Sequence, residues 1–384
     1  MGIYFDNSST TKPYEEVINE VVKGMREVYG NPSSLHGLGI KAEKKLNEVR
    51  EYLSSTINSS KDEIYFTSGG SESNNLIING LLKAGHHLIT TVFEHHSVLK
   101  VCERLEKEGV KVTYLDVDEY GRISLEDLKE SITKNTVLVS IMHVNNEMGA
   151  IQDIESIGKV IKENSSRAKF HVDAVQSYGK LPIDVRKMNI DMLSVAGHKF
   201  HGPKGSGFTF IKKGIVLNPL ISGGSQESGV RAGTQNLPAI MGLKKAAEMV
   251  IENINYNYEK VLDIKSYMIS RLENIKDIRI NSPLDKNFTP YILNVSFRGI
   301  KAEVLLHLLE EQDIYVSTGS ACTSKSSISN GSYVMKSLKI SKVDIESAIR
   351  FSFSEENTRE EVNKVIEVLE NSLKFLRRVK RWID

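Results

Sequence analysis

Lys199 stands between two histidines in the run Ser194-Val-Ala-Gly-His-Lys-Phe-His-Gly-Pro-Lys-Gly-Ser-Gly207, just after an apolar stretch holding Met192, Leu193 and Val195. A lysine that ends a strand and faces a cleft is partly desolvated, which lowers its pKa and makes its amine nucleophilic. Such an amine can hold an aldehyde as a Schiff base. A single loop lysine is more often an ordinary surface residue, so the neighbouring motifs must decide. Asp173, in His171-Val-Asp-Ala-Val-Gln176, closes another apolar run. A carboxylate placed there can keep a pyridine nitrogen protonated, so that the ring works as an electron sink. On its own, a strand-end Asp more often caps a helix or shapes a turn. Upstream, Ile64-Tyr-Phe66 leads through Thr67 into Ser68-Gly-Gly-Ser71, and a helix-like stretch with Leu76, Ile77, Leu81 and Leu82 follows. Backbone N–H groups at a helix N-terminus attract an anion, and glycines such as Gly70 let it approach closely. Ser71 adds a hydroxyl. The stretch is neither a Walker loop nor a dinucleotide fingerprint. An amine for an aldehyde, an acid for a pyridine and a cradle for a phosphate together fit pyridoxal phosphate.

The chain has two cysteines. Cys322 lies in a run of small polar residues, about 317–332, with almost nothing to bury; such a run is expected to be a mobile loop that leaves the thiol accessible. An exposed free thiol is a liability that invites a functional explanation. Cys102 shares helical spacing with Val98, Val101 and Leu105 and is expected in the core.

Apolar, strand-like runs occur at 63–67, 87–92, 110–115, 136–142, 169–172, 191–195 and 207–211, with helical stretches between them at, for example, 97–108 and 153–164. This alternation predicts an α/β fold whose mostly parallel sheet is covered on both faces. Ligands in such sheets sit beyond the carboxyl ends of the strands. Ser68, Asp173 and Lys199 all follow strand-like runs and so point to one crevice. A long helix near 239–275 is expected to bridge to a smaller domain.

These motifs, with others in order, resemble a known family. Tyr4-Phe5-Asp6-Asn7, Asn31-Pro32-Ser33-Ser34 with His36, Thr67-Ser68-Gly69, Glu72-Ser73-Asn74-Asn75 and Glu94-His95 lie in the first quarter of the chain. His143-Val144-Asn145-Asn146-Glu147, His171-Val172-Asp173-Ala174, Gly197-His198-Lys199, Arg231-Ala232-Gly233-Thr234, Gly319-Ser320-Ala321-Cys322 and Ile349-Arg350-Phe351-Ser352 follow. The chain is similar to cysteine desulfurases of the class V aminotransferase fold, in the subgroup whose cysteine sits on a long mobile loop. The resemblance spans nearly the whole chain.

It implies a PLP-dependent transferase fold type I. A large cofactor-binding domain (15–255) would hold a mostly parallel seven-stranded sheet. A smaller α+β domain (1–14 and 256–384) would carry the cysteine loop. It implies that Lys199 binds the cofactor aldehyde, Asp173 the pyridine nitrogen and Gln176 the ring hydroxyl. His95 would stack on the ring and move protons. Gly70, Ser71 and His198 would hold the phosphate, with Thr234 reaching in from the second subunit of a homodimer. Asn146, also at the cofactor, and Arg350 would take the carboxylate of L-cysteine, a task suited to a planar guanidinium fork. Cys322 would receive the sulfur as a persulfide, leaving L-alanine, and pass it to acceptor proteins of iron–sulfur cluster assembly or tRNA thiolation. Two departures stand out. Gly70-Ser71 replaces the usual Ala-Thr and still delivers a hydroxyl. Ala196 replaces a serine that gives the phosphate a hydrogen bond of about 1.5–3 kcal/mol, so weaker cofactor retention is expected.

With 384 residues, 40% hydrophobic and 26% charged, the composition is that of a globular protein large enough for two domains. A net charge of +1 supplies no broad field for nucleic acid or membrane. Two cysteines predict a reducing compartment rather than a disulfide framework. The first residues lack a basic, then apolar, leader pattern, so a cytoplasmic location is expected. No run of eighteen apolar residues predicts a membrane span. The histidine pairs His86-His87 and His95-His96 lack companions at ligand spacing, so no metal is expected. Basic residues from Lys374 to Arg381 read as a solvated helix face. Two other functions stay open: another enzyme on the same fold, such as a selenocysteine lyase or aminotransferase, and a non-catalytic scaffold. Cys322 speaks against transamination, which needs no thiol, and the presence of both Lys199 and Arg350 speaks against a scaffold.

Overall fold

The computed structural model describes residues 2–318 and 332–380, with side chains to residue 378. Cys322 and the rest of 319–331 lie outside the described residues. In chain order the strands are β1 (Ile3–Tyr4), β2 (Ile64–Thr67), β3 (His87–Thr91), β4 (Lys111–Leu115), β5 (Thr136–Met142), β6 (Lys169–Asp173), β7 (Met192–Ala196), β8 (Gly207–Ile211), β9 (Ile278–Ile280), β10 (Ile292–Phe297), β11 (Ile314–Tyr315) and β12 (Ala348–Ser352).

A seven-stranded sheet has the order β2-β8-β7-β6-β5-β3-β4. Its strands from β7 to β4 pair in parallel, whereas β8 runs antiparallel to both β7 and β2. These are the seven runs expected from the sequence. The strands β3, β5, β7 and β8 are buried along their whole length, as expected for a sheet covered on both faces. Polar residues inside it are paired: the His171 ring lies between the Ser140 hydroxyl at 2.8 Å and the Ser194 hydroxyl at 2.9 Å. Cys102 is fully buried, as its spacing predicts.

The helix expected over 239–275 is instead two, Leu237–Glu252 and Ile254–Leu272, meeting at Asn253 with φ −112° and ψ 15°. The Asn253 amide turns back to the Met249 carbonyl at 2.9 Å, a local bond that competes with helix continuation. The break also marks a change of partners. Ala246, Ala247 and Val250 pack into the core of the large sheet. Val261, Ile264 and Met268 pack into a second core with Leu293, Phe351 and Leu369. This second core surrounds the three-stranded sheet β12-β10-β9. Phe5 belongs to it, because β1 pairs in parallel with β11. The chain start is thereby carried across to the mouth of the large sheet, where Asp6 bridges Ser352.

Candidate active site

Beyond the carboxyl ends of β2, β6 and β7 lies a cavity of about 520 Å³, a size suited to a small ligand. Gly70, Ser71, His95, Asn146, Asp173, Gln176, His198, Lys199 and Arg350 all line it. Residues 280 positions apart in sequence (Gly70 to Arg350) are thus brought to one place. Thr234 is exposed and outside this chain's lining. Cys322 lies outside the described residues.

The anion cradle is built by backbone. Gly69 has φ 144° and ψ −170°, a conformation open only to glycine. Gly70 opens the helix Gly70–Leu81, whose first N–H groups have no helical acceptor. A Cβ on Gly70 would come within 2.5 Å of Val175 Cγ2, so glycine lets the turn sit against the Val175 side chain of the loop after β6. Ala196, 1% exposed, ends β7 on the same wall.

Asp173 ends β6 and is 5% exposed. Its carboxylate accepts from Asn74 Nδ2 at 2.7 Å and from the Val175 N–H at 3.0 Å. Asn74 also donates to the Ser97 hydroxyl at 2.8 Å. Nδ1 of His95 faces the Ser97 hydroxyl at 2.9 Å and the Ser97 N–H at 3.1 Å, so His95 caps the helix His96–Lys107. Asp173 and His95 are therefore held in one chain of hydrogen bonds. Because Nδ1 accepts from backbone, the proton of the neutral ring is assigned to Nε2. Burial, aided by Lys199 and His96 and opposed by Asp173, holds the His95 pKa below its usual value. His198 is pushed down to about 4, first by burial and then by Lys199, Lys204 and Lys180.

Lys199 closes the one-turn helix Gly197–Lys199 that follows β7. Its Nζ donates to the carbonyls of Ser8 at 2.5 Å and Ser9 at 2.8 Å. The N-terminal segment is thus the opposite wall, pinned by Thr11 N–H on the His198 carbonyl at 2.8 Å. Arg350, 3% exposed on β12, belongs to that wall too. It donates to Asp6 at 2.8 Å, Ser9 Oγ at 2.7 Å and the Asn146 carbonyl at 2.9 Å. Four buried polar atoms around the site, Ser8 Oγ, Asn74 Oδ1, Asn146 Oδ1 and Arg350 Nε, have no hydrogen-bond partner among the described residues. Buried polar groups are rarely left so; Ser8, Asn146 and Arg350 line the cavity, and their atoms fit a polar ligand with acceptors and donors.

The sequence reasoning missed three groups. The Ser8 and Ser9 carbonyls carry no side-chain signal. Asn74 and Ser97 gave one, as polar residues on otherwise apolar helix faces. Lys204, which lines the cavity and lowers the His198 pKa by its charge, lies in the glycine-rich turn after Lys199, where a lysine by itself signals no role.

The model of the class-V aminotransferases, "Aminotransferase class-V", matches residues 3–365. The chain belongs to this family. It is 44% identical over 389 residues to "Cysteine desulfurase IscS" of Clostridium botulinum, covering all of this chain and 97% of that protein. It is 42% identical over 380 residues to "Cysteine desulfurase IscS" of Methanosarcina thermophila, covering 98% and 93%. Among solved structures, a "NIFS-like protein" superposes with a TM-score of 0.92 at 38% identity, covering 98% of this chain and all of that one. The class-V fold, with its mixed seven-stranded sheet, is the one found here.

Proposed function

We infer that the chain is a cysteine desulfurase that binds pyridoxal phosphate, takes sulfur from L-cysteine and releases L-alanine. The observation that carries this reading is the single cavity in which Lys199, Asp173 and a glycine-built anion cradle face Arg350. The residues fit the cofactor in kind: an amine, a buried carboxylate, free helix N–H groups and unpartnered donors and acceptors. When bound, pyridoxal phosphate supplies an aldehyde and a protonated ring that stores electrons.

The chain's own residues supply the rest. Asp173, fixed by Asn74 and Val175, would hold the ring nitrogen and favour its protonated form. Gly70, Ser71 and His198 would hold the phosphate, with Thr234 completing the site from the partner copy of a homodimer. Gln176 would bind the ring hydroxyl. Arg350 and Asn146 would bind the substrate carboxylate and so orient Cα toward Lys199. Lys199 Nζ would take the Cα proton; two carbonyls hold it in place beforehand. His95, kept neutral by burial, has an Nε2 that can move a proton at the substrate sulfur. The Cβ–Sγ bond of L-cysteine breaks, the sulfur joins Cys322 Sγ as a persulfide, and the carbon skeleton leaves with a hydrogen on Cβ as L-alanine. The persulfide would then pass to an acceptor protein in iron–sulfur cluster assembly or tRNA thiolation. Residues 15–255 would form the cofactor-binding unit, and 1–14 with 256–384 the unit that carries Cys322. No helix among the described residues is long and apolar enough to cross a membrane.

Incubation of the protein with pyridoxal phosphate and L-cysteine tests this. A yellow protein that releases L-alanine in step with sulfur transfer is expected. A yellow protein that needs a keto-acid acceptor and makes no sulfide or persulfide would support an aminotransferase instead.

A further inference from the structure

We propose that Lys180 is a positioning residue that locks the Gln176 side-chain amide in one orientation and, through it, sets the protonation of Lys199. The proposal deepens the cofactor reading above and rests on it.

Lys180 follows β6 by seven residues, is 7% exposed and lies behind the cavity wall rather than in it. Its Nζ is 3.4 Å from Gln176 Oε1 and 5.3 Å from the centre of the Tyr291 ring. The other end of the same amide, Gln176 Nε2, donates to the Ser8 carbonyl at 2.9 Å. That carbonyl is also the 2.5 Å acceptor of Lys199 Nζ. One connected path therefore runs from Lys180 through Gln176 and Ser8 to Lys199. The two ends of a glutamine amide are nearly the same size, and only their partners decide which way it points. An ammonium donates and does not accept, so the amide oxygen must face Lys180 and the N–H groups must face the site. With an apolar residue at 180, the amide would keep its Ser8 contact but lose the one that holds its oxygen end.

A small second cavity is lined by both Lys180 and Lys199, with His201, Tyr291 and Glu355 among others. The charged and titratable groups around Lys180 come from every packed element: Lys199 after β7, Arg350 on β12, Glu355 beyond it, and Tyr291 before β10. Glu355 is itself held by the Tyr14 hydroxyl and lies 3.5 Å from His201 Nε2. Burial first, then the charges of Lys199 and Arg350, push the Lys180 amine down to about 7, with Glu355 alone opposing. An amine beside a second cationic group is held deprotonated more readily, and coupling of this kind is mutual.

The test is a pH titration of the visible absorbance of the full-length protein loaded with pyridoxal phosphate. Lys180→Met and Lys180→Gln both remove the charge, and one of them suffices should the other fail to fold. Either is expected to raise the apparent pKa of the visible band by roughly half a unit or more, with cofactor content unchanged. In a Gln176→Leu background the shift caused by Lys180→Met should be at most about half as large, because coupled residues are not additive. Wild-type titration behaviour in a coloured Lys180 variant, or an undiminished shift without Gln176, overturns the proposal and leaves the cofactor reading intact. A wild-type protein that stays colourless overturns both.

Discussion

The two walls of the cavity are built differently. The sheet wall takes Gly70, Asp173, Ala196 and Lys199 from the ends of β2, β6 and β7 and the turns that follow them. The opposite wall takes Ser8, Ser9 and Arg350 from the chain start and β12, about 340 residues apart, and joins them by the Asp6–Arg350 ion pair at 2.8 Å. The first wall is anchored in a sheet buried on both faces, which suits a permanent cofactor. The second is held by side-chain and carbonyl contacts to a separate core, which suits a substrate that comes and goes. On the proposed reading the work is divided: the first wall would hold the cofactor, and Arg350 on the second would take the substrate carboxylate with help from Asn146.

Substitutions on each wall test that division. Lys199→Ala should abolish the yellow colour and lower turnover by about a thousandfold or more, as read by visible absorbance and alanine release. Arg350→Ala should keep the colour yet cut kcat/KM by roughly a hundredfold, mainly through KM, since truncating one partner of a buried hydrogen-bonded charge pair costs about 2–5 kcal/mol. Loss of colour in Arg350→Ala would erase the distinction between the walls.

The sheet wall was also the legible one. Its residues sit in short motifs directly after apolar runs, so Ser68, Asp173 and Lys199 could be assigned to one crevice from strand periodicity alone. The opposite wall was not legible that way. Ser8 and Ser9 act through carbonyls, which no side-chain pattern records. Arg350 was found only through a family resemblance, because β12 belongs to a different sheet. The misread helix at 239–275 has the same origin. Periodicity is local, and it does not reveal that Asn253 is where the chain leaves one core for the other.

Smaller effects refine the sheet wall. Asn74→Ala removes the link between Asp173 and Ser97 and should weaken cofactor retention about tenfold, given about 1.5–3 kcal/mol for a bond to a charged acceptor and partial replacement by water. Equilibrium dialysis of the cofactor reads this. Ala196→Ser should tighten retention by a similar or smaller factor, by restoring a hydroxyl on the same wall; an unchanged dissociation constant would remove Ala196 from the account.

The smallest effect is on acid stability. His143, His171 and His198 are held at about 4, 3 and 4 by burial, against 6.5 when exposed. The unfolded chain therefore binds more protons at these sites below pH 6.5, and stability falls as pH drops toward 4. Glu94 and Glu147, raised by burial to about 8 and 7, stay protonated in the folded state above pH 4.5 and oppose this. The fall in Tm should hence steepen below about pH 4.5, where their opposition ends. A Tm that rises on acidification through this range would contradict the burial of these imidazoles as neutral groups.

The most direct measurement is the mass of the tryptic peptide bearing Cys322 after the pyridoxal phosphate-loaded protein meets L-cysteine. A gain of one sulfur atom on that peptide, absent in Lys199→Ala and absent from the peptide bearing Cys102, is the predicted result. A Cys322 peptide of unchanged mass while L-alanine accumulates would contradict it.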